Sequence, residues 1–141
     1  MPMEVRVVEE IAAPAARVWA TVRGFGDLMK WAAGLESCEL EGSGIGAVRT
    51  VGVAGGLRLQ ERLESYDEAG RSFSYAIIGK TPLPFRDYLS SVRIGELGPA
   101  RCEITWVGRF DPKPGSEAAS QTLVRGIYTS SLASLRKTLG V

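Results

Sequence analysis

A chain of 141 residues can bury a core of its own and reads as one domain, residues 1–141. Its 17 basic and 16 acidic residues leave a net charge of +1, so nothing in the charge balance calls for nucleic acid or an anionic membrane. With no histidine, the serine–histidine and cysteine–histidine nucleophile systems and histidine-ligated metal sites are excluded, and two cysteines make neither a disulfide framework nor a zinc site. No apolar run approaches the roughly 20 residues of a membrane span. Met-Pro-Met-Glu-Val leads straight into an alternating pattern without a signal peptide, so a cytoplasmic protein with Cys38 and Cys102 reduced is expected. Gly42-x-Gly44-x-Gly46 precedes no helix pattern and reads as a turn. No cofactor and no metal are expected.

Glu4 to Ile11 alternates as a first strand. Pro14 suits the first turn of a helix whose apolar stripe is Ala15, Val18, Trp19 and Val22, and a second short helical piece is expected over Leu28 to Ala33. From Leu35 to Asp111, turn signals at 42–46, 54–56, 67–70, 80–84 and 97–99 divide the chain into six strand-like segments. Connections this short favour an antiparallel meander. Asp111-Pro112-Lys113-Pro114-Gly115 stops the last strand, and Glu117 to Leu139 carries apolar residues at helical spacing before Gly140. The fold class is therefore α+β. A seven-stranded antiparallel sheet curling around one long helix would leave a cavity between them.

The fourth segment locates that cavity. Leu57, Leu59 and Leu63 share one face, Arg58, Gln60, Arg62 and Glu64 the other, and Glu61 falls among the leucines. An inward carboxylate needs a partner or water. If Ala54-Gly55-Gly56 is a three-residue loop, the cross-strand pairs are Val53–Leu57, Val51–Leu59 and Arg49–Glu61. The same pairing is compatible with a buried structural ion pair. Parity further places Phe73, Tyr75 and Ile77 on one face, registered against Leu63, Glu61 and Leu59. A turn at 97–99 would pair Ile94 with Cys102, Val92 with Ile104 and Ser90 with Trp106. Trp19 is expected in the core and Trp31 at the cavity rim or beneath the short helix.

Ile11-Ala12-Ala13-Pro14-Ala15-Ala16-Arg17-Val18-Trp19 resembles the strand-to-helix entry of polyketide cyclase/dehydrase and MxaD-like proteins, within the START and birch-pollen-allergen-like (SRPBCC) helix-grip superfamily. Gly46-Ala47-Val48-Arg49, the segment Glu61 to Asp67 and Tyr88-x-Ser90 are similar to segments of the plant abscisic-acid receptors. The resemblance implies a helix-grip fold, with two short helices between strands 1 and 2, and it puts Arg49, Glu61, Tyr88 and Ser90 on the pocket wall. The receptors' carboxylate-binding lysine falls at Ala32, their gate has become Gly55-Gly56-Leu57-Arg58, and their latch is replaced by Lys80-Thr81-Pro82-Leu83-Pro84. Binding of that hormone is not expected.

The expected ligand contacts are Arg49, Val51, Leu59, Glu61, Leu63, Phe73, Tyr75, Ile77, Tyr88, Ser90 and Trp106, with Tyr128 and Leu132 from the long helix. Aromatic and aliphatic walls with a few convergent polar groups suit a hydrophobic or aromatic small molecule. The expected function is that of a carrier or sensor of a lipid, polyketide or isoprenoid-like compound, working as a monomer or homodimer. The alternative is a cyclase, aromatase or dehydratase in which Glu61 is the acid–base group and Tyr88 or Tyr75 an oxyanion donor. A protein-docking module is a third reading, which the charged outward strand faces disfavour.

Overall fold

In the computed structural model, which describes residues 2–141, the alternating segments of the chain join a single curved antiparallel sheet. The strands are β1 (Met3–Ile11), β2 (Leu35–Glu41), β3 (Val48–Val53), β4 (Arg58–Asp67), β5 (Ser72–Ile78), β6 (Phe85–Gly98) and β7 (Arg101–Pro112). They lie in the order β1-β7-β6-β5-β4-β3-β2, so β2 to β7 form a meander and β1 returns beside β7. Helix α1 (Ala15–Val22) and helix α2 (Glu117–Leu139) complete the helix-grip arrangement. The second helical piece is shorter than expected. Only Leu28–Lys30 winds, as a 3-10 turn, and 31–34 is irregular.

Both helices are amphipathic and bury the expected stripes. Ala15, Val18, Trp19 and Val22 of α1 are buried, and the Pro14 carbonyl accepts from the Arg17 and Val18 amides. In α2, Val124, Tyr128, Leu132, Leu135 and Leu139 face the sheet. Glu117 in its first turn and Arg136 and Lys137 in its last oppose the helix dipole. Gly140 closes it at φ 76°, in the left-handed region where glycine carries no penalty, and residues 140 and 141 bond back to the carbonyls of Lys137 and Arg136. The C-terminal half of α2 is tied down: Arg17 Nη2 donates to the Leu139 carbonyl at 2.6 Å, and Arg136 pairs with Glu9. In the N-terminal half Ser120 Oγ donates to the Pro84 carbonyl at 3.2 Å and Arg125 Nη1 to the Arg6 carbonyl at 3.3 Å, while Leu123 and Ile127 are exposed.

The β3–β4 hairpin adopts the expected register, Arg49 opposite Glu61 and Val51 opposite Leu59. Two other registers are corrected. Ile77 pairs with Glu61, Tyr75 with Leu63 and Phe73 with Tyr66, because the turn falls at 68–71 and a bulge lies between Leu63 and Ser65. Likewise Ile94 pairs with Ile104, Val92 with Trp106 and Ser90 with Gly108, because the turn falls at Pro99-Ala100 and a bulge interrupts Glu96 to Gly98. Each shift moves a side chain along its strand without turning it over, so the inward sets survive. A third bulge has larger consequences. Asp87, at φ 54°, lets Phe85 and Tyr88 both point inward where strict alternation would have opposed them.

Candidate functional site

A cavity of about 760 Å³ lies between the inner face of the sheet and the N-terminal half of α2. The sheet contributes Val51, Leu59, Phe73, Tyr75, Ile77, Val92 and Trp106 to its wall, and the helix Leu123, Val124 and Ile127. Leu57 and Ala54 of the β3–β4 loop and 31–35 complete it. α2 is held to β1 and α1 along the side away from the β3–β4 hairpin, through Arg17, Arg125 and Arg136, while its Leu123 and Ile127 line the cavity with Leu57 of that hairpin.

Arg49 and Glu61 stand on this wall. The Arg49 Nε donates to Glu61 Oε1 at 2.8 Å, and its Nη1 donates to the Phe25 carbonyl at 3.0 Å. The guanidinium carbon lies 4.0 Å from the centre of the Phe25 ring and 4.8 Å from that of Tyr75, so the planar cation rests between two π faces. Arg49 Nη2 and Glu61 Oε2 have no hydrogen-bond partner among the described residues. A donor and an acceptor are thus left adjacent inside an apolar enclosure.

A second polar group sits deeper. Trp106 Nε1 donates to Ser90 Oγ at 2.9 Å, and Ser90 Oγ lies 3.0 Å from the Val107 carbonyl and 2.9 Å from the Tyr128 hydroxyl, which also bonds Tyr88. Ser90 has one proton. With that proton on Val107, Tyr128 donates to Ser90 and Tyr88 to Tyr128, leaving the Tyr88 oxygen only lone pairs for the cavity. Burial pushes the Tyr88 and Tyr75 phenols above their ordinary titration range, and for Tyr75 the Glu61 charge adds to this while Arg49 opposes it. Both phenols stay protonated at neutral pH.

Of the expected contacts, the cavity surface includes Arg49, Val51, Leu59, Glu61, Phe73, Tyr75, Ile77, Tyr88 and Trp106. Leu63, Ser90, Tyr128 and Leu132 stand behind it: Leu63 and Leu132 in the core, Ser90 and Tyr128 in the buried chain of hydroxyls. Strand parity and helix periodicity cannot separate a wall from the layer behind it. Sequence reasoning also missed Leu83, Phe85, Leu123 and Ile127. The signal for the last two was in the α2 pattern, as the flank of the buried stripe. Trp31 is buried on the cavity wall, 5.8 Å from Trp106 between ring centres, and its Nε1 is the one buried side-chain polar atom without a partner among the described residues. No metal-binding cluster of acidic or cysteine side chains occurs among the described residues.

The family model described as polyketide cyclase/dehydrase and lipid transport matches residues 2–140. Among solved structures, a protein from Bacillus thuringiensis is 29% identical, with a TM-score of 0.88 over 96% of this chain and 97% of its own. The protein XoxI from Bacillus cereus is 28% identical, with a TM-score of 0.87 over 95% and 93% of the two chains. Norcoclaurine synthase from Thalictrum flavum, solved with dopamine and hydroxybenzaldehyde, shares the fold at 19% identity, with a TM-score of 0.78 over 99% and 87%.

Proposed function

The chain belongs to the polyketide cyclase/dehydrase and lipid transport family, and from that premise we propose that it binds one hydrophobic or aromatic small molecule, of lipid, polyketide or isoprenoid kind, as a carrier or sensor. The observation that carries this reading is a charge pair with a spare donor and acceptor on the wall of an otherwise apolar cavity of about 760 Å³. That volume lies within the range of about 300–1,000 Å³ typical of small-molecule sites. Arg49 and Glu61 neutralise each other, so the pair favours a ligand hydroxyl, which accepts from Nη2 and donates to Oε2, over a second full charge. The Tyr88 oxygen would take a further donor from the ligand.

Thermal-shift titration with long-chain alcohols, naphthols and quinones tests the proposal. A ligand at a hundredfold its Kd raises stability by about 2.7 kcal/mol. If no compound in the panel raises Tm well above micromolar concentration, the proposal fails.

One observation favours a second reading, a cyclase or dehydratase: the Glu61 oxygen left open on the wall is placed to take a proton from a carbon between two carbonyls. Tyr75, which lines the cavity and keeps its proton, would then donate to the enolate oxygen. Turnover of a polyketone substrate that survives Glu61→Gln would remove that role.

A further inference from the structure

Beside the cavity wall, a second pocket of about 500 Å³ opens where β5 hands over to β6. Lys80 and Thr81 of the 79–84 connection, Arg86 and Asp87 of the β6 bulge, and Lys113 beyond β7 surround it. The fold brings the two lysines' segments together, since Phe85 pairs with Pro112 and the Lys113 amide donates to the Pro84 carbonyl at 2.9 Å. Their charges are not spoken for. Arg86 is held by Asp111 at 3.2 Å and lies 3.9 Å from Asp87, whereas Lys80 and Lys113 form no ion pair among the described residues.

This pocket and the main cavity share four wall residues, Ile77, Leu83, Phe85 and Tyr88, so one layer of side chains divides them. Leu83 belongs to a connection that enters no strand pairing, and it is the part of that layer least held by the sheet. A purely apolar ligand gains nothing from two ammonium groups beside its cavity. An amphiphile does, because its head stays hydrated while the cations attract it.

We propose that the Lys80–Lys113 pocket is the head-group site for the ligand of the main cavity, and that this ligand carries an oxyanion, a carboxylate or a phosphate ester, on an apolar body that passes Leu83. The proposal rests on the ligand-binding reading of the main cavity. It assigns the polar ends of one molecule to two places: a hydroxyl or carbonyl inside at Arg49 and Glu61, and an anion outside at the lysines.

Three probes with the same chain test it: dodecanol, dodecanoate and dodecyl phosphate, titrated calorimetrically into the wild-type protein and a Lys80→Ala/Lys113→Ala variant, with inorganic phosphate as a fourth titrant. The expected result is that one or both anionic probes bind about tenfold tighter than dodecanol, and that the double variant removes this advantage while leaving dodecanol unchanged. Whether dodecanoate or dodecyl phosphate gains more identifies the head group. Equal affinity for all three probes, or an anionic advantage that survives in the variant, overturns the head-group site and leaves the cavity reading standing. Binding of inorganic phosphate as tight as that of dodecyl phosphate overturns it too, as a free-anion site. If no probe with a chain binds, both readings fall together.

Discussion

Arg49 is a buried cation with three kinds of partner, of which Glu61 is one. At 3% exposure it would strand a full charge if the carboxylate were its sole support, and a dry pair broken in that way costs about 3–5 kcal/mol. The Phe25 carbonyl and the two aromatic faces remain when Glu61 is removed, and the cavity admits water to Nη2. Glu61→Ala is therefore expected to cost about 1–2 kcal/mol in urea unfolding, and a loss of 3 kcal/mol or more would identify a dry scaffold. Arg49→Met combined with Glu61→Leu removes both charges at once and is expected to return stability to within about 1 kcal/mol of wild type while abolishing preference for a hydroxylated ligand. This pair was legible in the sequence because two local rules meet there: a three-residue loop sets the register, and period two sets the faces. The unpartnered Trp31 indole was not legible, since it lies in the irregular segment between the 3-10 turn and β2, where neither rule applies.

At the scale of elements, the strands and both helices could be read from alternation, from turn residues and from the break-free run of 117–139. What escaped were features that insert or remove one residue's worth of register. The bulges at Leu63/Ser65 and at Arg86/Leu89 obey no local periodicity, and Asp87 reveals its left-handed backbone only once β6 is seen to pair with β7. The contact between α2 and the sheet depends on a similar detail. Gly108 in β7 faces inward, and a Cβ there would overlap the Tyr128 hydroxyl. That hydroxyl cannot step aside cheaply, because its ring stacks on Trp106 at 4.3 Å and its oxygen bonds Ser90 and Tyr88. Gly108→Ala is thus expected to destabilise by about 2–4 kcal/mol, although Ala suits a strand no worse than Gly. Denaturant unfolding measures it. Combining the change with Tyr128→Phe, which deletes the obstructing oxygen, should recover part of the loss. A Gly108→Ala protein as stable as wild type would mean that α2 does not seat through this contact.

For the whole molecule, the groups that burial perturbs set the range of pH over which the fold holds. The chain has no histidine, so the side chain that ordinarily titrates between about pH 5 and 8 is missing. At the alkaline end Tyr75, Tyr88 and Tyr128 are all raised, in each case chiefly by burial, and the Cys38 and Cys102 thiols are raised for the same reason. A raised phenol or thiol holds its proton in the folded state after the unfolded chain has released it. Its contribution to stability is complete below the unfolded value, about 10 for tyrosine, and is lost as pH rises from there through the folded value. Each fully shifted phenol removes about 1.4 kcal/mol per pH unit across that window, so the three together remove up to about 4 kcal/mol between pH 10 and 11. At the acid end Glu68 is lowered, first by its hydrogen bond from Tyr66, and Asp111 by that from Arg86, so their smaller contributions fade as pH falls through their depressed folded values. The urea midpoint should accordingly stay flat from pH 5 to about 8.5 and then fall steeply above pH 10, with the tyrosinate absorbance of the three buried phenols, beyond that of the exposed Tyr66, appearing together with the loss of tertiary structure. Phenolate formation near pH 10 beyond that of the exposed Tyr66, in a protein that keeps its tertiary structure, would mean that bulk water reaches Tyr75 and Tyr88.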